Sequence, residues 1–337
     1  MIISRTPFRV SFFGGGSDLP AYYNRQKGAV MSTTIDKYMY ISAHPFFNRQ
    51  QISLKYSITE IVDSVEDIAH PLVRECLKML SIDGGMEITS TADVPAGTGL
   101  GSSSSFTVGL LNTLYSFKGK FVSNERLARD ACDIEILKVG DPIGKQDQYA
   151  ASFGGLNVIE FAPDETVEVT PVNLKSKTIR SLEENLVMYY TKTSRSAKQI
   201  LVDQAKRLGE KDRFQIQEKM VDLVYEARDL LYGNDLASFG ELLDKTWQMK
   251  KKLSEKITDS SIDKHYETAM KNGALGGKLL GAGGGGFLLF YCEPEKQEKL
   301  RESLKGLYEL KFSFDWAGSK IIYVGDKNWG DENGFFE

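Results

Sequence analysis

The sequence predicts an α+β protein of two domains. Its 337 residues exceed the usual size of one domain. Strand-like and helix-like segments alternate through the first half of the chain, whereas long helical patterns dominate the second half. The polar segment 173–185 separates the two halves, and we expect domains at residues 1–180 and 181–337.

Strand-like runs in the first half are rich in β-branched and aromatic residues. They cover residues 29–45, 51–57, 86–94, 155–161 and 167–172, the last two spaced as a hairpin. Helical patterns lie between them, and we expect Ser123 to cap the last helix of this series. These patterns cover residues 63–80 with an interruption at Pro71, 106–117 and 124–138. A strand, a glycine-rich loop and a helix therefore follow one another before residue 118.

Long helical patterns in the second half indicate a domain with its own core. They cover residues 197–208, 211–232, 236–252, 260–272 and 293–307. Strand-like runs accompany them at residues 186–191, 278–291 and 320–324. The acidic residues after Gly325 are expected to form a loose terminus.

Composition and charge exclude several classes of partner. The chain has 42 basic and 46 acidic residues, a net charge of −4 and no long basic stretch, which argues against a nucleic-acid partner. Its three cysteines lie far apart and lack metal-ligand spacing, as is typical of a reducing compartment. Without a signal-peptide pattern or an apolar run of about 18 residues, we expect a cytoplasmic protein with no membrane partner. We expect a monomer or a homodimer.

The glycine-rich loop reads Val94-Pro-Ala-Gly-Thr-Gly-Leu-Gly-Ser-Ser-Ser-Ser105. Glycines at alternate positions remove Cβ atoms from the loop, and four hydroxyl residues stand where the helix begins. A helix N-terminus has unpaired N–H groups and partial positive charge, so this pattern predicts a polyphosphate site with a serine available for Mg²⁺. It is not a Walker A motif, because no Gly-Lys-Ser or Gly-Lys-Thr follows. A flexible turn is the alternative.

The N-terminal run places one arginine among apolar, strand-like residues. A charge buried alone is costly, so Arg9 is either paired or functional, unless it faces water on an edge strand. Three glycines, 14–16, then precede Asp18. They either clear space for a ligand whose hydroxyls bind this carboxylate, or Asp18 only caps a turn.

Two further acids lie in the segment 135–147. Glu135 stands in the last turn of a helix, where the dipole disfavours a carboxylate unless a cation is near. Asp147 follows a Pro/Gly loop. Such a loop holds the next side chain in a fixed position, as is common for catalytic carboxylates. Taken alone, the segment favours the interpretation of both as surface acids.

A second glycine-rich segment reads Lys278-Leu-Leu-Gly-Ala-Gly-Gly-Gly-Gly-Phe287. It contains the dinucleotide-binding pattern G-x-G-x-x-G, but a strand follows it instead of a helix, which argues against a Rossmann unit. The loop is suited to close packing against a substrate or against the first glycine-rich loop.

Together these motifs resemble the GHMP kinase superfamily, which includes galactokinase, homoserine kinase and mevalonate kinase. The resemblance rests on PFRV with GGGSD at residues 7–18, PAGTGLGSS at 95–103 and KLLGAGGGG at 278–286. It spans nearly the whole chain in the family's order. It implies an N-terminal ribosomal-protein-like βαβ domain that binds ATP and a C-terminal ferredoxin-like α/β-plait domain.

The resemblance also implies roles for particular residues. Asp147 is the catalytic carboxylate, Arg9 assists it and stabilises developing charge, and Ser103 and Glu135 ligate Mg²⁺. The residues that bind ATP are Pro95, Gly97, Thr98, Gly99, Leu100, Gly101, Ser102, Ser103 and Ser104. Those that bind the sugar substrate are Gly15, Gly16, Ser17, Asp18, Lys145, Arg195, Gly283 and Gly284.

The first motif departs from that of galactokinases, which have Gly-Glu-His-x-Asp where this chain has GGGSD. The runs RTPFRVSFFGGGSDLPAYY and DPIGKQDQYAASFGGLN are instead similar to bacterial D-glycero-D-manno-heptose 7-phosphate kinases. This implies ATP-dependent phosphorylation of the anomeric O1 hydroxyl, giving heptose 1,7-bisphosphate for nucleotide-activated heptose. A phosphorylated substrate needs further cations, for which Arg195, Lys198 and Lys145 are candidates.

Three alternatives to this function stay open. The chain could phosphorylate a free sugar such as fucose or galactose. It could be a non-catalytic sugar or nucleotide sensor, although Arg9, Glu135 and Asp147 are all present. A decarboxylase on the same fold is disfavoured by the Gly-Lys-Gln-Asp-Gln context of Asp147.

Overall fold

The strands form one sheet of nine and one of four within residues 1–193 and 197–325, the part of the chain that this computed structural model describes. In the larger sheet the order is β13-β1-β2-β5-β3-β4, with β12 and β6 beside β2 and β7 beside β6. Its pairs are antiparallel except for β3 with β5. The smaller, antiparallel sheet has the order β11-β8-β10-β9.

The strands of the larger sheet are β1 Ile2–Phe13, β2 Gly28–Pro45, β3 Ile52–Lys55, β4 Thr59–Val62, β5 Met86–Ala92, β6 Asn157–Phe161, β7 Val167–Pro171, β12 Phe314–Asp315 and β13 Lys320–Val324. Those of the smaller sheet are β8 Leu186–Tyr190, β9 Gly276–Leu279, β10 Phe287–Tyr291 and β11 Tyr308–Glu309. The first eight residues of β2 are all buried, whereas its later residues alternate between buried and half-buried. The start of β2 is therefore a central strand covered on both faces.

The helices are α1 Pro20–Tyr23, α2 Pro71–Met79, α3 Ser102–Phe117, α4 Asn124–Cys132, α5 Gln146–Phe153, α6 Ser176–Asn185, α7 Ala197–Arg207, α8 Lys211–Tyr232, α9 Leu236–Lys251, α10 Ser260–Lys271 and α11 Pro294–Ser303. Most residues of α3 are buried, because the helix lies between the β1–β2 pair and helices α2, α4 and α5. This central position fixes the N-terminus of α3 beside β1. None of the helices in the described ranges has the length and apolarity that crossing a bilayer requires.

Several sequence-based expectations are confirmed. Ser123 caps α4, since its side chain accepts a hydrogen bond from the backbone N–H of Arg126. Residues 157–161 and 167–171 pair as the expected hairpin. Helix α8 has the predicted bounds, and α7, α9 and α10 end within one residue of them.

Other expectations are wrong, each for a local reason. Pro71 begins α2 instead of interrupting a helix, because proline is well tolerated in the first turn. The polar segment before β8 contains helix α6. The helix expected over 124–138 ends at Cys132 and continues as a π-helix, Asp133–Lys138. The single strand-like run at 278–291 is two strands, β9 and β10, joined by the glycine-rich loop.

The end of the described chain returns to the first sheet. Strand β12 pairs with β2 and β13 pairs with β1, although both follow the smaller sheet in the chain. The boundary expected at residue 180 stays a prediction, and the larger sheet takes strands from both sides of it.

Candidate active site

A cavity of about 220 Å³ lies where the two glycine-rich loops meet. The structure brings many of the predicted residues into its lining, from β1, the N-terminal ends of α3 and α5, and the loop after β9. These residues are Arg9, Gly15, Gly16, Asp18, Gly97, Gly99, Gly101, Ser102, Ser103, Ser104, Asp147 and Gly283. Segments that are distant in sequence therefore form one site.

The two glycine-rich loops touch through their backbones. Gly99 and Gly281 both have positive φ, of +84° and +70°. A Cβ on Gly99 would lie 2.6 Å from the carbonyl oxygen of Leu280, and one on Gly281 would lie 2.5 Å from the Cα of Gly99. This contact confirms the expectation that the second loop packs against the first glycine-rich loop. Any side chain at either position would separate the loops.

The first loop ends at the N-terminus of α3. Gly101 has a left-handed backbone and precedes Ser102, the first residue of this 16-residue helix. The first N–H of α3 bonded to a helix carbonyl is that of Ser105, which donates to Gly101 O at 2.9 Å. The three preceding serines line the cavity. Backbone N–H groups and the helix dipole therefore give this wall a positive potential suited to phosphate.

Arg9 holds the candidate catalytic carboxylate against the first loop. Its Nε and Nη2 donate to Asp147 Oδ1 and Oδ2, both at 2.7 Å, and its Nη1 donates to the carbonyl of Gly99 at 2.5 Å. The backbone N–H of Arg9 donates to Leu100 O at 3.0 Å. Arg9 is only 5% exposed, so it is the buried, paired arginine expected and does not face water.

Asp147 follows the Pro/Gly loop as expected and occupies the first turn of α5, a helix that the sequence analysis did not predict. A negative charge is favourable there because of the helix dipole. Its side chain is 22% exposed and lines the cavity, whereas its partner Arg9 is enclosed. The carboxylate is therefore oriented by the bidentate pair and still accessible to a ligand.

Glu135 lies behind the serines of α3, in the π-helix that follows α4. Ser103 Oγ donates to its Oε1 at 3.0 Å and Gln148 Nε2 donates to its Oε2 at 2.5 Å. Burial raises the pKa of Glu135 to about 7. A π-helical turn rotates side chains out of the α-helical register and is frequent at functional sites.

The described residues contain no group of three or more acidic, histidine or cysteine side chains arranged to hold a metal ion. Ser103 and Glu135 nevertheless fit Mg²⁺ by the chemistry of their donor atoms, an alcohol oxygen and a carboxylate. Protein Mg²⁺ sites commonly supply one or two such ligands, and phosphate oxygens and water complete the shell.

Asp18 is an oriented acceptor on another wall of the cavity. Its Oδ1 accepts from the backbone N–H of Gly16 at 3.0 Å and from Gln146 Nε2 at 3.1 Å, and its Oδ2 accepts from the backbone N–H of Gln146 at 3.3 Å. Burial, and then the charge of Asp147, raise the pKa of Asp18. The glycines before Asp18 allow a turn tight enough for the N–H of Gly16 to reach the Asp18 carboxylate.

Some predicted residues lie outside the lining. Ser17 Oγ donates to the carbonyl of Ala29 and accepts from its N–H, at 2.9 and 3.1 Å. Lys145 pairs with Glu165, and Gly284 N–H donates to Ile257 O at 2.8 Å. Pro95, Thr98, Leu100 and Glu135 are also outside the lining; Pro95 is exposed, and the other three are buried. Arg195 lies outside the described residues, and the roles of all these residues stay predictions.

The sequence interpretation assigned no role to two lysines that line the cavity. Lys250 on α9 donates to Gly281 O at 2.5 Å, and Lys278 on β9 donates to Phe12 O at 2.6 Å. Burial, and then the charge of Arg9, lower the pKa of Lys250 to about 8. Lys250 stands in a run of three lysines in an ordinary helical pattern, which gave no signal of a buried role.

One exposed cation stands at the same cavity. Lys198, in the first turn of α7, forms an ion pair with Asp141, and both residues line the cavity. The Lys198 side chain is 61% exposed, whereas that of Asp141 is 12% exposed. This lysine can therefore bind a negatively charged group that enters the cavity from solvent.

Comparisons with known proteins identify the family of this chain. The family model described as GHMP kinases N terminal domain matches residues 65–155, and the one described as GHMP kinases C terminal matches residues 227–310. A D-glycero-alpha-D-manno-heptose 7-phosphate kinase of Campylobacter jejuni is 29% identical over 95% of this chain and 98% of its own. A galactokinase of Pyrococcus furiosus is 25% identical over 93% of this chain and 95% of its own.

Among solved structures, a D-glycero-D-manno-heptose 1-phosphate kinase from Bacteroides thetaiotaomicron superposes with a TM-score of 0.80. It is 24% identical, and the match covers 97% of this chain and 100% of that chain. The fold and the site thus define a phosphotransferase that uses ATP and an alcohol group as acceptor. The chain belongs to the GHMP kinase superfamily, and the two-domain α+β fold expected from the sequence is confirmed.

Replacement of Lys250 by methionine is predicted to change the pH dependence of stability. Folding lowers the pKa of Lys250 from 10.5 to about 8, so between these pH values the unfolded chain binds more protons and stability rises with pH. Denaturant titrations of the ligand-free protein should show the free energy of unfolding of wild type, relative to Lys250→Met, rising by about 3 kcal/mol over this interval.

Lys252→Met, at an exposed lysine just after α9, is the control for removing one lysine charge. The difference between wild type and this control should stay flat over the same interval. A flat difference for Lys250→Met as well would contradict the burial of a charged group at this position.

Proposed function

We propose that this chain is an ATP-dependent sugar kinase that phosphorylates the anomeric O1 hydroxyl of D-glycero-D-manno-heptose 7-phosphate. The product is heptose 1,7-bisphosphate, a precursor of nucleotide-activated heptose. The observation that carries the proposal is the Arg9–Asp147 pair, which is bonded to Gly99 of the first glycine-rich loop and lines the same cavity as Asp18. The printed name of the Campylobacter jejuni relative supports the choice of sugar. We place the activity in the cytoplasm.

The nucleotide binds with its phosphates on the first glycine-rich loop and the N-terminus of α3. Ser102, Ser103 and Ser104 offer hydroxyl and backbone N–H donors there. Ser103 and Glu135 hold Mg²⁺, which neutralises phosphate charge when it is bound. A cation beside Glu135 favours its carboxylate form, which burial alone disfavours.

Asp147 takes the proton from the reacting hydroxyl. The O1–H proton passes to the Asp147 carboxylate while O1 forms a bond to the γ-phosphorus of ATP. The bond from that phosphorus to the β–γ bridging oxygen breaks, and ADP leaves. Both Asp147 oxygens already accept from Arg9, so the carboxylate is held in one orientation, and the guanidinium offsets negative charge at the reacting atoms.

The 7-phosphate of the sugar binds to basic side chains at the start of α7. Lys198 is exposed, lines the cavity and is held by Asp141, so a phosphate can replace or share that partner. We include Arg195, three residues earlier in the sequence, in this set. Lys145 contributes less, because its side chain is only 12% exposed and lies outside the cavity lining.

A screen of acceptors tests the choice of substrate. ATP consumption is measured with heptose 7-phosphate, the same heptose without its phosphate, galactose, fucose and mevalonate. The phosphorylated heptose should give the highest kcat/KM. Lys198→Met should lower kcat/KM about tenfold for the phosphorylated heptose, as for loss of one charged contact, and much less for the unphosphorylated one.

Lys206→Met is the matched control, since Lys206 is an exposed lysine of the same helix outside the cavity lining. It should leave both acceptors unaffected. If the protein prefers galactose or fucose, the proposed substrate is wrong and the enzyme is galactokinase-like or fucokinase-like. Absence of turnover with every acceptor, alongside nucleotide binding, would favour a sensor.

Replacement of Asp147 by asparagine tests the catalytic assignment. The amide cannot take the O1 proton, so kcat should fall roughly 10²- to 10⁴-fold. ATP binding, measured by calorimetry, should stay close to that of wild type because Asp147 is not part of the phosphate loop. Circular dichroism confirms folding of the variant. Turnover of the variant near the wild-type rate would show that Asp147 is not the catalytic carboxylate.

A further inference from the structure

Three polar side chains in the cavity, two of them buried and that of Gln146 half-buried, are used neither by the first glycine-rich loop nor by the Arg9–Asp147 pair. They are Ser11 on β1, Gln146 at the start of α5 and Gln204 on α7, and all three line the cavity together with Asp18. We call these three residues the polar wall.

Each residue of the polar wall has an unsatisfied polar atom. Ser11 Oγ, Gln146 Oε1 and Gln204 Nε2 are buried and have no hydrogen-bond partner within residues 1–193 and 197–325. Buried polar atoms are nearly always hydrogen-bonded, because leaving them unpaired is costly. A ligand that presents hydroxyl groups to these three residues would supply the missing partners.

Gln204 is the member of the polar wall that comes from the second half of the chain. It is 3% exposed, and its amide lies directly against the glycine run before Asp18. A Cβ on Gly16 would stand 2.2 Å from Gln204 Nε2. The missing side chain at residue 16 is thus what allows the amide of Gln204 to pack at this wall.

The chemistry of the polar wall matches hydroxyl groups. Gln204 Nε2 is a donor, Gln146 Oε1 is an acceptor, and Ser11 Oγ can act as either. Asp18 adds an oriented acceptor whose own partners are Gly16 and Gln146. Sugar hydroxyls both donate and accept, whereas phosphate oxygens at neutral pH mainly accept. The polar wall has no charge of its own, so it fits the polyol part of a substrate better than its phosphate.

We propose that Gln204, together with Ser11 and Gln146, binds the hydroxyl groups of the sugar, with Gln204 Nε2 donating to one of them. This inference rests on the proposed function and extends it to a helix that none of the sequence motifs includes. Helix α7 then carries both Lys198 for the phosphate and Gln204 for the sugar hydroxyls. The two side chains lie six residues apart, and both line the cavity.

Steady-state kinetics with heptose 7-phosphate and ATP test the inference. Gln204→Leu removes the donor and the polarity, and it should raise the KM for the sugar about tenfold while the KM for ATP changes less than about twofold. Gln204→Glu keeps the shape and an acceptor but loses the donor, and it should raise the sugar KM in the same way. The second variant serves as the test if the leucine variant does not fold.

Gln297→Leu is the matched control. Gln297 is also a buried helical glutamine, but it lies on α11, where it donates to backbone carbonyls of Glu184 and Cys292, outside the cavity lining. Its replacement should lower the melting temperature without a selective change in the sugar KM. The selective rise in sugar KM at Gln204 is therefore a readout that a purely structural role does not produce.

Two results would overturn the inference and separate it from the proposed function. If wild type phosphorylates the sugar and the folded Gln204 variants keep the sugar KM, or raise the ATP KM in parallel, Gln204 does not bind the sugar and only the inference fails. If wild type phosphorylates none of the acceptors, the proposed function fails, and this inference fails with it.

Discussion

The guanidinium of Arg9 joins the parts of the site that must act together. It pairs with both oxygens of Asp147 on α5 and donates to the carbonyl of Gly99 in the first glycine-rich loop. A buried charge is tolerated only with such partners, so the arginine imposes this arrangement on the elements around it. The distance from the phosphate loop to the candidate base is set by one side chain of β1.

Contact between the two glycine-rich loops joins the halves of the chain. Gly99 belongs to the loop after β5 and Gly281 to the loop after β9, and their backbones are too close for any side chain. Lys250, which lines the cavity, donates a hydrogen bond to Gly281 O in the second loop. The site is therefore built from both halves of the chain, with the first glycine-rich loop packed against the second.

Sequence reasoning identified the residues whose type is unusual for their position, such as Arg9 within an apolar strand and glycines at alternate positions. It missed Lys250 and Gln204, because each lies in a helix of ordinary amphipathic pattern and is recognisable only from its burial in the folded chain. Its assignment of Ser17 and Lys145 to the substrate stays a prediction. Their hydrogen-bond partners in the folded chain, Ala29 and Glu165, are set by tertiary contacts that no local pattern records.

Calorimetric titration with a non-hydrolysable ATP analogue tests the central claim most directly, namely that two touching glycine-rich loops form the nucleotide site. Wild type should bind one nucleotide per chain. Gly281→Val, which drives a side chain into the backbone of Gly99, should weaken binding by at least about tenfold, whereas Gly306→Val, at a position with no atoms near its Cβ, should not. No binding by wild type, or equal binding by the folded Gly281 variant, would contradict the account.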